Sequence, residues 1–92
     1  MDFYNLGNYL KKRRVDVGLT QKELANKIGD LNSQFVSNWE RGLCAPPGHS
    51  FQKIIEILKV DRNELVDVML IDSRRAIETK VFPSRVKQKK MA

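Results

Sequence analysis

An all-α domain of five short helices, followed by a basic C-terminal tail, is the fold class that this sequence predicts. Three observations carry that reading. Apolar residues recur at steps of three and four through residues 1–72, with no convincing period-two run. Helix caps and glycines punctuate those runs where helices should start and stop. And 92 residues make one small domain, for which a helical bundle with short loops is the economical solution.

The first helix is expected from about Phe3 to Val17, with Tyr4 or Leu6, then Leu10 and Val17, near helical spacing. Lys11, Lys12, Arg13 and Arg14 crowd its second half, and Gly18 ends it. The second opens on a capping box, Thr20-x-x-Glu23, which satisfies orphan amides reciprocally. Leu24, Ala25 and Ile28 share one face, and Gly29 follows as the stop. Asn32 or Ser33 caps the third helix and Gly42 closes it. Val36, Trp39 and Glu40 face inward there, while Ser33, Gln34, Ser37, Asn38 and Arg41 face outward. Two prolines make Leu43–Gly48 a loop. A fourth helix follows from about His49 to Leu58, with Phe51, Ile54, Ile55 and Leu58 toward the core. Asp61-x-x-Glu64 resembles another cap, so the fifth begins near Arg62, strongly apolar at Leu65, Val66, Val68, Met69 and Leu70. Beyond it the alternatives stay open. Ile71–Thr79 either continues the fifth helix or forms a separate basic turn, and Lys80-Val81-Phe82 is a candidate short strand stopped by Pro83.

Charge divides the chain in the same place. Residues 1–72 hold ten Lys/Arg and ten Asp/Glu. Residues 73–92 hold seven Lys/Arg against Glu78 alone, which accounts for the whole net charge of +6. We therefore expect a helical body over 1–72 and a basic tail over 73–92, with a polyanion as a fair partner. The body must meet that partner through local patches rather than net charge. No run of eighteen apolar residues is present, and MDFYNLGNYL lacks a basic leader segment, so neither a membrane span nor a secretory signal is expected. One cysteine, Cys44, excludes an internal disulfide and suits a reducing, cytoplasmic setting.

Catalytic and metal chemistry find little footing. Cys44 and His49 have no second His or Cys and no carboxylate cluster nearby, whereas a metal site needs about four ligands. A Cys–His nucleophilic pair would also need an orienting third group and a pocket. No metal, no cofactor and no enzymatic activity are expected.

Taken together, the pieces resemble the lambda-repressor-like, Cro-type helix-turn-helix family of bacterial and phage transcriptional regulators. They are Leu10, Arg14 and Gly18-Leu19-Thr20-Gln21; Glu23-Leu24-Ala25 and Ile28-Gly29; Val36-Ser37-Asn38-Trp39-Glu40-Arg41-Gly42; and Pro46, Leu58, Val60 and Glu64-Leu65. The resemblance covers roughly residues 6–66, and spacing, glycines and caps agree together. One departure is the segment Gly29-Asp30-Leu31-Asn32-Ser33, which holds one residue more than the family usually has. Counting back from Glu40 puts Ser33 and Gln34 at the N-terminal end of the recognition helix, about residues 33–41, where such proteins touch bases.

The resemblance implies a DNA-binding repressor that dimerises, because one recognition helix reads too few base pairs alone. Gln34 is the foremost base reader, since its amide can pair bidentately with adenine. Ser33 and Ser37 meet bases or phosphates, or act only as caps and solvated hydroxyls. Asn38, one turn on from Gln34, extends the same face. Phe35 either packs on a thymine methyl or turns into the core. Gln21 stands where the positive end of the second helix favours a phosphate, and the family position also braces the recognition glutamine. Thr20 and Lys22 assist, with capping as the main role of Thr20. Arg41 reaches a phosphate or simply complements the helix dipole. The resemblance also implies a partly buried Arg14–Glu40 ion pair that is structural. Lys11, Lys12 and Arg13 are expected to form a solvated face, with phosphate contact as the lesser alternative. The expected dimer surface is the surplus apolar side of the fifth helix at Val66, Met69 and Leu70. The tail is a DNA-binding arm, a solubilising end, or a grip for a protein partner through Val81 and Phe82. An alternative function follows from the last: an antitoxin or adaptor module holding a partner through Ile71–Phe82.

Overall fold

A computed structural model describes residues 3–83. Its five helices are α1 (Tyr4–Val17), α2 (Gln21–Gly29), α3 (Ser33–Glu40), α4 (Gly48–Ile57) and α5 (Arg62–Val81), and no strand occurs among the described residues. α1 packs on α3 and α5, and α2 on α3 and α4. One core results, built from Leu6, Leu10, Leu24, Ala25, Ile28, Val36, Trp39, Ile54, Leu58 and Leu65.

Local chemistry sets most boundaries. Gly18, at φ 86°, ends α1, and its N–H and that of Leu19 donate back to the Arg14 carbonyl. Thr20 and Glu23 form the expected capping box on α2: the Glu23 N–H donates to Thr20 Oγ1 at 3.0 Å, and the Thr20 N–H to Glu23 Oε1 at 2.9 Å. α2 does not stop before Gly29. It includes that glycine, and Asp30 takes the left-handed cap at φ 56°, a conformation that Asp tolerates better than most residues. Asp61 caps α5 by accepting the Glu64 N–H at 2.9 Å.

Three expectations about packing change. Ile55 is exposed rather than in the core, because α4 seats Ile54 and Leu58 at its centre and the next residue is rotated about 100° away from Ile54. Leu6, not Tyr4, is the buried residue of the first turn of α1. Arg13 is not a solvated charge. Its guanidinium donates to the Leu58 carbonyl at 3.1 and 3.0 Å and so satisfies the C-terminal end of α4. Lys53 does the same for α2, donating to the Ile28 carbonyl at 2.9 Å.

α5 crosses the 72–73 boundary without a break, so Ile71–Thr79 continues the helix and Val81 is helical, not part of a strand. Residues 84–92, including the Arg85–Lys90 run, lie outside the described residues. Asp72 explains why the helix stays docked past the core. The α1 N-cap, Phe3, has no side-chain cap of its own. Buried Asp72 supplies one from α5: its carboxylate accepts the Asn5 N–H at 3.0 Å, the Leu6 N–H at 2.9 Å and the Asn5 side-chain amide at 3.0 Å. A carboxylate there also complements the positive end of α1. The same pair of helices is joined by Tyr9, whose hydroxyl donates to Glu64 at 2.9 Å and accepts the Asp61 N–H at 3.3 Å. Partial burial, then the bond to Glu64, raises the Tyr9 pKa.

Gly7 fixes how closely α1 meets α3. A Cβ at that position would stand 2.5 Å from the Trp39 carbonyl oxygen and 2.7 Å from that of Glu40, both backbone atoms that cannot swing aside. The end of α3 is thereby held against α1.

Candidate nucleic-acid interface

The inner edge of α3 is locked before its outer edge is offered to anything. Val36 and Trp39 fill the core, and Glu40 is buried beside them. The Arg14 guanidinium grips Glu40 with two nitrogens, Nε on Oε2 and Nη2 on Oε1, the latter at 3.0 Å. Its third nitrogen donates to the Leu19 carbonyl at 2.7 Å. Gln21 adds a bond from its side-chain amide to Glu40 Oε1 at 3.0 Å. The ion pair implied for Arg14 and Glu40 is therefore present, and it ties α1, the loop before α2, the first turn of α2 and the last turn of α3 into one cluster. Among the described residues no buried side-chain nitrogen or oxygen lacks a partner. A buried pair so satisfied holds geometry, because loss of either member strands a charge.

Gln21 departs from the expected bracing of a recognition glutamine. Its amide donor is directed to Glu40, and Gln34 bonds elsewhere. The capping box occupies the Thr20 and Glu23 amides, which leaves those of Gln21 and Lys22 as the first-turn N–H groups without intrahelical partners. Lys22 is exposed beside them and Thr20 is exposed as the cap. The Thr20 N–H, and then its hydroxyl, hold the Glu23 carboxyl below the ordinary carboxylate range.

Asn32, not Ser33, caps α3, accepting the Gln34 N–H at 2.8 Å. α3 therefore starts at Ser33, where the count back from Glu40 places it. Ser33, Ser37 and Asn38 are half-buried along the outer side, and Gln34 and Arg41 are exposed. Phe35 does not turn into the core: it is 52% exposed. Gln34 Nε2 donates to Asn38 Oδ1 at 3.0 Å, one helical turn on. That bond uses one amide hydrogen and leaves Gln34 with its second hydrogen and its carbonyl oxygen free. The i,i+4 spacing of the two amides was visible in the sequence, although their mutual bond was not read from it.

A family model described as "Helix-turn-helix" matches residues 10–65, more than half of the chain. The chain belongs to the lambda-repressor/Cro-like helix-turn-helix family. No curated protein and no solved structure matches it. Membership makes this helix-turn-helix protein a DNA-binding regulator in general terms. The match ends at Leu65, so most of α5 lies beyond it. No helix among the described residues is long and apolar enough to cross a membrane. Cys44 and His49 are both exposed, and no group of three potential metal ligands occurs among those residues.

Proposed function

We propose that this helix-turn-helix protein is a cytoplasmic repressor that reads a two-fold-symmetric operator as a homodimer, with α3 in the major groove. The observation that carries the proposal is the outer face of α3, where Gln34, Phe35 and Asn38 stand together while the opposite face is buried and bonded. Gln34 presents one N–H and one carbonyl, the pair that adenine N7 and N6 require. Phe35 is placed to pack on a thymine methyl beside it. Ser33, Ser37 and Asn38 reach adjoining base edges or sugar-phosphate oxygens. The free amides at Gln21 and Lys22, with Thr20, clamp one phosphate, and Arg41 reaches another. Two such units need half-sites about 34 Å apart, one turn of duplex.

The test is binding of the purified protein to the DNA upstream of its own gene and to random duplex across a salt series. We expect a symmetric footprint whose sequence preference persists as salt rises. Weak binding that vanishes with salt and shows no preference would leave only charge attraction and end the proposal. The exposed apolar side of α5 supports a second reading, an antitoxin or adaptor. It predicts a stable one-to-one complex with the product of a neighbouring gene in place of a homodimer.

A further inference from the structure

The bond between Gln34 and Asn38 takes over, within α3, a task expected of α2. Gln21 spends its side-chain amide on Glu40 at 3.0 Å. Among the described residues, the side-chain bond that Gln34 makes goes to Asn38 Oδ1, at 3.0 Å. Backbone contacts seat both ends of that bond. The Gln34 N–H donates to the Asn32 cap at 2.8 Å. The Asn38 carbonyl accepts the Leu43 N–H at 3.0 Å, and Asn38 is half-buried next to buried Trp39. Gln34 itself is exposed. An exposed glutamine without a partner samples many rotamers, and a ligand that fixes it must overcome that entropy.

The direction of the bond decides what Gln34 can read. Gln34 donates and Asn38 accepts. One amide hydrogen is thereby spent, and the edge that remains is a carbonyl and one N–H. Adenine offers a donor at N6 and an acceptor at N7, which match that edge. Guanine offers two acceptors, O6 and N7, so the Gln34 oxygen would face O6 as acceptor against acceptor. The reverse bond, from the Asn38 amide to Gln34 Oε1, would leave two N–H groups outward and favour guanine. A Gln34 with no partner could turn over and serve either base. We propose that Asn38 is the positioning residue that sets adenine over guanine at the base pair read by Gln34, by holding this bond in the DNA complex. The inference rests on the base-reading role of α3 and adds the residue that fixes its specificity. The N–H groups of Asn38 stay available to a phosphate or a neighbouring base edge.

The experiment selects bound sequences from a pool of duplexes randomised over about 20 base pairs, enough for two half-sites. The full chain is compared as wild type, Gln34→Ala, Asn38→Ala and Asn38→Asp, with circular dichroism to confirm that each variant is folded. The position at which Gln34→Ala loses its preference is the one that Gln34 reads. There wild type should favour adenine over guanine about tenfold or more, and Asn38→Ala by less than about threefold. A carboxylate accepts but cannot donate, so Asn38→Asp can hold the bond only in the observed direction. It should keep the adenine preference within about threefold of wild type, while its affinity falls on every duplex through repulsion by phosphates. Nuclear relaxation of the Gln34 side-chain amide gives a readout without DNA: restrained in wild type and Asn38→Asp, mobile in Asn38→Ala. A mobile amide in wild type overturns the inference. So does an Asn38→Ala loss confined to a neighbouring base pair, or an Asn38→Asp loss equal to that of Asn38→Ala. A wild type that selects no sequence sinks the operator reading and this inference with it. A wild type that selects a sequence, with an adenine preference untouched by Asn38→Ala, sinks the inference alone.

Discussion

α3 turns Val36 and Trp39 inward and leaves Phe35 as its one exposed large apolar side chain, whereas α5 leaves Val66, Leu70, Ile71, Ile77 and Val81 outside. α3 has 8 residues and α5 has 20. The short helix could not persist alone in water and is held by packing, by the Gly7 contact and by the Arg14–Glu40–Gln21 cluster. The long helix is anchored on one side by Leu65 and Asp72 and leaves the other unpartnered. The comparison teaches that an exposed residue means different things on the two helices. On α3 the outward groups are hydrogen-bonding amides and hydroxyls, suited to a polar, charged ligand. On α5 they are branched aliphatics, suited to another apolar surface.

The largest effect that would break this contrast lies on the inner side of α3. Glu40→Ala leaves Arg14 buried without its carboxylate, and urea denaturation should show a loss of about 3–5 kcal/mol. A loss below about 1 kcal/mol would mean that the pair behaves as a surface salt bridge. On the outer side, Gln34→Ala should leave the melting midpoint within about a degree. Its discrimination between the operator and a duplex altered at the contacted base pair should fall by about 1–3 kcal/mol. An equal loss on random duplex would assign Gln34 to phosphate contact instead.

On α5 the same kind of comparison sets Asp72 against Leu70. Asp72→Ala removes the cap of α1, and equilibrium unfolding should register about 0.5–2 kcal/mol. Leu70→Ala, measured under conditions that keep the chain monomeric, should register less than about 0.5 kcal/mol. If the two variants were equally destabilised, the outer side of α5 would already be packed within one chain.

The smallest effect concerns the first turn of α2. The Glu23 pKa is lowered in the folded chain, so folded Glu23 releases its proton where the unfolded chain still holds one. Its contribution to stability is present above the ordinary glutamate pKa and is lost as pH falls through the lowered folded value. Glu23→Gln should flatten that part of the stability-against-pH curve. An unchanged acid limb in the variant would show that the capping box does not discriminate between the two protonation states.

Much of the architecture was legible in residues that act on their neighbours. Thr20-x-x-Glu23, Asp61-x-x-Glu64 and Gly18 mark helix ends within a few residues of chain, and the structure places those ends there. The five-helix fold followed from such signals and from apolar periodicity, and the family match agrees with the resemblance carried by the motif residues. The pairing of Arg14 with Glu40 came from resemblance rather than from spacing. What escaped was long-range. Asp72 caps Asn5 and Leu6 across 67 and 66 positions, Arg13 caps α4 across 45, and Tyr9 reaches Glu64 across 55. No local pattern distinguishes those polar side chains from solvated ones. Ile55 shows the same limit within one helix, because periodicity gives a face about 100° wide and only packing selects its centre.

By itself, then, the sequence determined where most of the helices begin and which residues of α2 and α3 turn inward. Those features depend on caps, periodicity and backbone preference, which act over one or two helical turns. Only the tertiary structure decided that α5 runs unbroken through the basic boundary to Val81, that Phe35 stands outside the core, and that Gln21 serves Glu40. For α5 and Gln21 the outcome turned on which distant backbone or carboxylate stood within about 3 Å, and for Phe35 on Val36 and Trp39 taking the buried positions; chain folding alone brings such groups together.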